Sequence, residues 1–121
     1  SFPGIDRHLL ILEGNGCKLS FPDRKIELKN RLVPFSFQGE ESVYCVLVSG
    51  SITDLNVMTE RSWGTSHVEI TQGSGQLVCL EDYLFLFDIQ SFRLYELQKG
   101  ESLEMENPDH KKIVIRVKKT I

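Results

Sequence analysis

Lys112-Ile113-Val114-Ile115-Arg116-Val117-Lys118 is the stretch of sequence that decides the fold. In an extended chain its apolar residues Ile113, Ile115 and Val117 share one face, which is the period of a β-strand. No stretch of the chain keeps the apolar spacing of a helix for three turns, so an all-β sandwich or barrel is predicted. Short apolar or β-branched runs bounded by turn residues predict further strands at His8–Glu13, Cys17–Phe21, Lys25–Lys29, Val43–Ser49, Ile52–Met58, His67–Thr71, Gln76–Leu80, Leu84–Ile89 and Phe92–Leu97.

The chain also matches itself when it is shifted by 68 residues without gaps. The shift pairs apolar residues of similar size across several turns. Two β-sandwich halves joined by Ser51 to Gly75 would explain this register, whereas the alternative is a chance alignment of period-two patterns. The matched pairs include Leu9 with Leu77, Leu12 with Leu80, Leu19 with Phe87, Ile26 with Leu94, Phe35 with Leu103, Phe37 with Met105 and Leu47 with Ile115.

Composition narrows the class of protein. At 121 residues, with 40% hydrophobic and 26% charged residues, the chain has the make-up of one small globular domain. A net charge of −3 disfavours a nucleic-acid partner, and no apolar run approaches the roughly 18 residues that cross a membrane. Three cysteines in apolar runs indicate free thiols in a reducing compartment, so the expected location is the cytoplasm. The pairs Lys111-Lys112 and Lys118-Lys119 are expected to solubilise edge strands.

Catalytic and metal motifs are weak. The histidines at 8, 67 and 110 are not spaced as a metal cluster, although His67 and Glu69 share a strand face and His110 lies in a turn resembling part of a cupin motif. No nucleophile elbow or nucleotide-binding glycine loop is present, and Gly14-Asn15-Gly16 is interpreted as a hairpin turn. We therefore expect no metal, no cofactor and no catalytic residue.

A polar pair of segments predicts a pocket. Period two places Asp54, Asn56 and Met58 on one face of their strand, and in a barrel that face looks either inward or to solvent. Arg7 opens a strand that continues with apolar residues, so its guanidinium is expected at the mouth of a cavity. It would pair with a ligand carboxylate or with Asp54 itself, the latter as a purely structural ion pair.

Four segments occur in a fixed order in the first half of the chain. They are Phe2-Pro3-Gly4-Ile5-Asp6-Arg7, Leu12-Glu13-Gly14-Asn15-Gly16, Pro34-Phe35-Ser36-Phe37 with Gly39, and Gly50 followed by Asp54-Leu55-Asn56-Val57-Met58. Together they resemble the HutD/Ves family, which is associated with bacterial histidine utilisation. The resemblance is close over Ser1 to Arg61, and the first and last segments carry most of it.

The resemblance implies a cupin-like (RmlC-like jelly roll) bicupin with two stacked β-sandwich halves. One HutD/Ves-like domain would span 1–121, with a first half at 1–50, connecting strands at 51–75 and a second half at 76–121. Members of the family begin with further N-terminal strands that this chain lacks, so the first half would be incomplete and a sheet edge would lie open. The ligand-binding positions implied by the resemblance are Arg7, Asp54, Asn56 and Met58, with Phe2, Asp6 and Phe37 nearby.

Two functions follow from this resemblance. The first is a non-catalytic module that binds a small acidic metabolite of histidine degradation, such as formylglutamate or urocanate, and modulates histidine utilisation. The second is a metal-independent cupin enzyme, an isomerase or epimerase, whose base would be a carboxylate or a histidine close to Asp54 and Arg7. A homodimer formed through exposed aromatic residues of the second half is a further possibility.

Overall fold

The computed structural model describes residues 1–120, and these residues form twelve strands and no helix. The all-β prediction is therefore confirmed. Two four-residue strands, β4 and β11, were not among the predicted ones. The strands are β1 (Ile5–Glu13), β2 (Cys17–Ser20), β3 (Lys25–Leu28), β4 (Phe35–Gln38), β5 (Tyr44–Leu47), β6 (Thr53–Glu60), β7 (Gly64–Thr71), β8 (Gly75–Val78), β9 (Tyr83–Asp88), β10 (Arg93–Gln98), β11 (Ser102–Met105) and β12 (Lys112–Lys119).

The first compact unit, Ser1–Ser62, is a sandwich of two three-stranded antiparallel sheets. One sheet has the order β4-β1-β6 and the other the order β3-β2-β5. Apolar side chains at alternate positions of both sheets point between them, which removes them from water. This core consists of Leu9, Ile11, Cys17, Leu19, Phe21, Leu28 and Phe37.

The second compact unit, Trp63–Ile121, has a four-stranded sheet of order β10-β9-β12-β7 and a two-stranded sheet of order β11-β8. Its core again lies between two sheets. Partly buried residues of β8, β10 and β11 pack against it. The core residues are Cys79, Leu84, Leu86, Leu97 and Val114.

The strand order of the first unit recurs in the second. A shift of 68 residues places β1 to β5 on β8 to β12, so β4-β1 corresponds to β11-β8 and β3-β2-β5 corresponds to β10-β9-β12. The register agrees as well, since Cys17 lies opposite Leu47 and Phe85 lies opposite Ile115. The predicted repeat is thereby confirmed at the level of sheet topology, and the bicupin interpretation agrees with it.

Two local expectations were wrong. Gly14-Asn15-Gly16 does not close a hairpin, because β1 and β2 belong to different sheets. The turn carries the chain from one sheet to the other, and both glycines need their left-handed φ of 101° and 92°. Lys112 does not solubilise an edge strand either: β12 lies between β9 and β7, and the Lys112 side chain is buried.

Candidate functional site

On the face of β1 that points to the core, the apolar residues are preceded by a charged one, Arg7. Leu9 and Ile11 point into the core of the first unit, and side chains alternate along a strand. Arg7, two residues before Leu9, therefore lies on the same side as the core. Its partner across β4 is Phe37, which is itself a core residue. The guanidinium of Arg7 is thus held at the end of an apolar row rather than on the solvent face of the sheet.

The register of β6 settles which face of that strand carries the predicted pocket residues. Met58 lies opposite Arg7, Asn56 opposite Leu9, and Asp54 opposite Ile11. Directly opposed residues of an antiparallel pair point to the same side of the sheet. Asp54, Asn56 and Met58 therefore face the same side as the core, although all three remain solvent-accessible because β6 is an edge strand.

Arg7 is held by an amide and two aromatic rings. Its Nη2 donates a hydrogen bond of 2.9 Å to Oδ1 of Asn56. Its guanidinium carbon lies 4.7 Å from the centre of the Phe37 ring and 5.2 Å from that of Phe2. Aromatic faces attract a cation without neutralising it. These contacts fix the position of the guanidinium and leave its charge uncompensated by a carboxylate.

The Nε atom of Arg7 is buried, and it has no hydrogen-bond partner among residues 1–120. A buried donor without a partner costs about 1–3 kcal/mol. None of the ion pairs within residues 1–120 includes Arg7 or Asp54. The structural Arg7–Asp54 pair is therefore absent from this part of the chain. The Nε–H and Nη2–H groups lie along one edge of a guanidinium, and the two oxygens of a carboxylate can accept from both groups at once.

Asp6 lies apart from the other predicted site residues. It occupies the opposite face of β1 from Arg7, as alternation requires, and its Oδ1 accepts hydrogen bonds of 3.0 and 2.8 Å from Nε and Nη2 of Arg61. Glu40 binds the same guanidinium at 3.0 Å, and hydrogen bonding to Arg61 lowers the pKa of Glu40 to about 2. Two carboxylates therefore neutralise Arg61, in contrast to Arg7.

Arg61 and Glu40 were not among the predicted functional residues. Arg61 lines an open groove of about 490 Å³, but its donors are already engaged by Asp6, Glu40 and the carbonyl of Ile5. In the sequence this cluster is marked by charged residues just after two strands, Glu40 after β4 and Arg61 after β6. Charge alone does not show whether such residues pair with each other or are solvated separately. The groove is lined by Pro3, Gly4, Ile5, Glu60, Arg61 and Ser62.

A second polar group lies on the core side of the second unit. Lys112 points the same way as the core residue Val114, and its Nζ donates to the carbonyls of Asn107 at 2.8 Å and His110 at 3.2 Å. Across the sheet, Asp88 Oδ2 lies 2.9 Å from His110 Nδ1. The cavity beside Lys112 and Asp88 holds about 30 Å³, enough for a water molecule or two and too small for a metabolite.

Two of the residues weighed as metal ligands have other partners. Glu69 pairs with Arg116, and His110 pairs with Asp88. Within residues 1–120, no group of three or more His, Cys, Asp and Glu side chains is arranged to hold a metal ion. The same residues contain no helix long and apolar enough to cross a membrane.

Sequence comparison identifies a family for the whole chain and relatives for about half of it. The sequence profile described as HutD matches residues 1–121. A protein named Protein Ves from Citrobacter koseri is 36% identical over 61 residues, which are 50% of this chain and 32% of that protein. Protein Ves from Escherichia fergusonii is 37% identical over 59 residues, 48% of this chain and 31% of the relative. The chain thus spans about a third of the length of the curated relatives it matches.

Solved structures share the fold. HutD from Pseudomonas fluorescens SBW25, in a formate condition, superposes with a TM-score of 0.73 at 18% identity and covers 100% of this chain and 72% of its own. A conserved protein of unknown function from Pseudomonas aeruginosa PAO1 superposes with a TM-score of 0.79 at 19% identity, covering 98% and 74%. The cupin-like fold is therefore confirmed.

Proposed function

The chain belongs to the HutD family, and from that premise we propose that it binds a small carboxylated metabolite at the core-facing side of β1 and β6. Binding would modulate histidine utilisation without catalysis. One observation carries the proposal: Arg7 is a fixed cation whose buried Nε has no partner. A carboxylate ligand would satisfy that donor and compensate the charge in one step.

The surroundings of Arg7 suit a small acid. The rings of Phe2 and Phe37 flank the guanidinium and supply the apolar wall that small-ligand sites usually have. Met58, which is 43% exposed and lies opposite Arg7, would extend that wall once a ligand covers it. Burying this side chain on binding would add a favourable apolar contribution.

Two further residues would read the rest of the ligand. Asn56 accepts from Arg7 through Oδ1, so its amide nitrogen can donate to a carbonyl of the ligand. Asp54 is two residues further along the same face and can accept from an imidazole or formimino N–H. A row of a cation, an amide and a carboxylate would fit a ligand that carries both an acid and a nitrogen group. The intermediates of histidine degradation carry both groups. Formylglutamate and urocanate are the acids we propose first.

Binding is favoured over an isomerase or epimerase by the position of His8. This histidine is the nearest to Arg7 in sequence, yet it lies on the opposite face of β1, where its Nδ1 is 2.6 Å from Ser36 Oγ. A base acting on a ligand held by Arg7 would have to be Asp54 alone. We also propose a cytoplasmic location, since Cys17, Cys45 and Cys79 are free thiols.

Thermal unfolding in the presence of candidate acids tests this function. A ligand that binds only the folded state stabilises it by about 2.7 kcal/mol at a hundredfold excess over Kd, which raises Tm by several degrees. We expect one member of a panel of histidine, urocanate, formiminoglutamate, formylglutamate and glutamate to raise Tm. The shift should vanish in Arg7→Met and persist in Arg31→Met, a matched change at an exposed arginine of the same unit.

The panel also has an outcome that rejects the proposal. If no acid raises Tm, or if Arg7→Met and the unaltered protein respond equally, then Arg7 is not a carboxylate-binding residue for this pathway.

A further inference from the structure

Two cations of the first unit are connected through two buried aromatic rings. The guanidinium carbon of Arg24 lies 4.1 Å from the centre of the Phe21 ring, and the centres of the Phe21 and Phe37 rings are 5.4 Å apart at an interplanar angle of 70°. The guanidinium of Arg7 in turn lies 4.7 Å from the centre of the Phe37 ring. Both rings belong to the close-packed core, where a displaced side chain displaces its neighbours. The contacts therefore form a continuous path from Arg24 to Arg7.

Arg24 also holds the backbone next to Phe37. Its Nη1 donates a hydrogen bond of 2.7 Å to Oε1 of Glu41, and Oε2 of the same carboxylate accepts one of 3.1 Å from the amide of Gln38. Gln38 directly follows Phe37 and is the last residue of β4. The amide of Glu41 donates back to the carbonyl of Gln38 at 3.1 Å. Arg24 thus reaches Phe37 by two routes, through the Phe21 ring and through the Glu41 carboxylate.

The charges at the two ends of this path are treated differently. Arg24 pairs with Asp23 at 2.9 Å and with Glu41 at 2.7 Å, so two carboxylates compensate its charge. The hydrogen bond from Arg24 is the largest cause that lowers the pKa of the Glu41 carboxyl, which keeps this pair ionised near neutral pH. Arg7 has no carboxylate partner among residues 1–120. Arg24 is therefore suited to holding its neighbours in place, whereas Arg7 is suited to binding an anion.

We propose that Arg24 is a positioning residue for the carboxylate site at Arg7, because it fixes the Phe37 ring and that ring fixes the guanidinium. The inference rests on the proposed function, since it assigns a second residue to the same site. An aromatic ring attracts a cation that lies over its face, so a displaced Phe37 would release the guanidinium from its orientation. A guanidinium that must be ordered during binding gives a weaker site than one that is ordered beforehand.

Spectra of the arginine Nε–H groups without any ligand test the positioning. Arg24→Met keeps a linear side chain beside Phe21 but removes the charge and the hydrogen bond to Glu41. Because an aromatic ring shifts the resonances of nearby protons, the Arg7 resonance should move in this variant. Arg24→Lys keeps a cation and should move it less. Lys112→Met, which removes the buried cation of the second unit, is the control for general destabilisation and should leave the Arg7 resonance in place.

Binding of formylglutamate tests the consequence for the site. We expect Arg24→Met to raise the Kd for formylglutamate by about three- to tenfold, a range typical of side chains that act through their neighbours. The measurement is made at a temperature at which every variant is folded. Lys112→Met, and Arg31→Met at an exposed arginine of the first unit, should both keep the Kd of the unaltered protein.

The outcomes separate this inference from the proposed function. An Arg7 resonance that is unchanged in Arg24→Met, or that moves as far in Lys112→Met, would overturn the positioning role. A Kd for formylglutamate that is unchanged in Arg24→Met would overturn it as well. If the unaltered protein does not bind formylglutamate, that proposed ligand is wrong, and the ligand-free spectra alone decide whether Arg24 positions Arg7.

Discussion

The two units share a strand order, and each places one cation on the core-facing side, yet they treat that cation in opposite ways. In the second unit the ammonium of Lys112 is held by the carbonyls of Asn107 and His110, next to a cavity of about 30 Å³. In the first unit the guanidinium of Arg7 contacts an amide and two rings, and its buried Nε has no partner in the described part of the chain. Under the proposed function, one copy of the fold uses its cation for structure and the other uses it for a ligand.

The turn that follows β11 explains why Lys112 of the second unit is bound by backbone carbonyls. Asn107 adopts a left-handed φ of 52° and turns the chain so that backbone carbonyls reach Lys112. Asp88 contacts His110 of the same turn, and it also accepts the N–H groups of Gln90 and Ser91 in the turn between β9 and β10. No comparable turn reaches Arg7 in the first unit, where the neighbouring residue across the sheet is Phe37. Stability should therefore depend on the cation of the second unit and hardly at all on that of the first.

The largest expected effect is that of Lys112→Met. Methionine keeps most of the volume but removes the charge-assisted hydrogen bonds that the buried Lys112 donates to the carbonyls of Asn107 and His110, each worth about 1.5–3 kcal/mol. We expect the free energy of unfolding to fall by about 2–4 kcal/mol in urea titrations. Lys118→Met, on the same strand at an exposed position, is the control and should change it by less than about 0.5 kcal/mol. Equal effects of the two changes would show that Lys112 is not held as described.

The next effect in size is that of Asp88→Asn, and it depends on pH. Burial raises the pKa of Asp88, but the contact with His110 and the hydrogen bond from Ser91 outweigh it, and the net pKa is lowered. A carboxylate with a lowered pKa stabilises the fold above its unfolded value of about 4 and loses that contribution as pH falls further. Asp88→Asn should therefore cost about 1–2 kcal/mol near neutral pH and progressively less in acid.

Unfolding curves at several pH values below neutrality would measure this convergence. A difference between the unaltered protein and Asp88→Asn that stays constant down to the most acidic pH would contradict the assignment of the ionised Asp88 to the turn.

The smallest expected effect is that of Arg7→Met on stability. The change removes one exposed-edge hydrogen bond to Asn56 but also removes a buried donor that has no partner, so the two contributions oppose each other. We expect the free energy of unfolding to change by no more than about 1 kcal/mol, as is common for residues kept for function. A loss as large as that of Lys112→Met, measured in the same urea series, would make Arg7 a structural residue and remove the contrast between the units.

Much of this architecture could be predicted from the sequence because alternation is a local signal. Ten strands and the repeat follow from it. The two strands that were not predicted, β4 and β11, are short, with only two apolar residues each. Local pattern also places Asp54, Asn56 and Met58 on one face, but whether that face looks to the core depends on the register with β1, which is a long-range property.

The partners of the charged residues were harder to predict, because a charged residue in the sequence can be either buried or exposed in the fold. Asp6 is adjacent to Arg7 in sequence, yet alternation sends it to the opposite face, where Arg61 binds it. Lys112 belongs to a lysine pair that suggests solvent exposure, and the carbonyls that accept from it belong to the turn just before β12. Its burial depends on the central place of β12 between β9 and β7, which is a long-range property.

Nitrogen–proton correlation spectra of the arginine Nε–H groups test the central claim most directly. The protein would be titrated with the acid that gives the largest thermal shift. We predict that the Arg7 resonance moves on saturation because its unpaired Nε gains an acceptor. The Arg61 resonance should stay in place because its Nε already donates to Asp6 at 3.0 Å. An Arg7 resonance that is unchanged at saturation, or equal movements of both, would contradict the account.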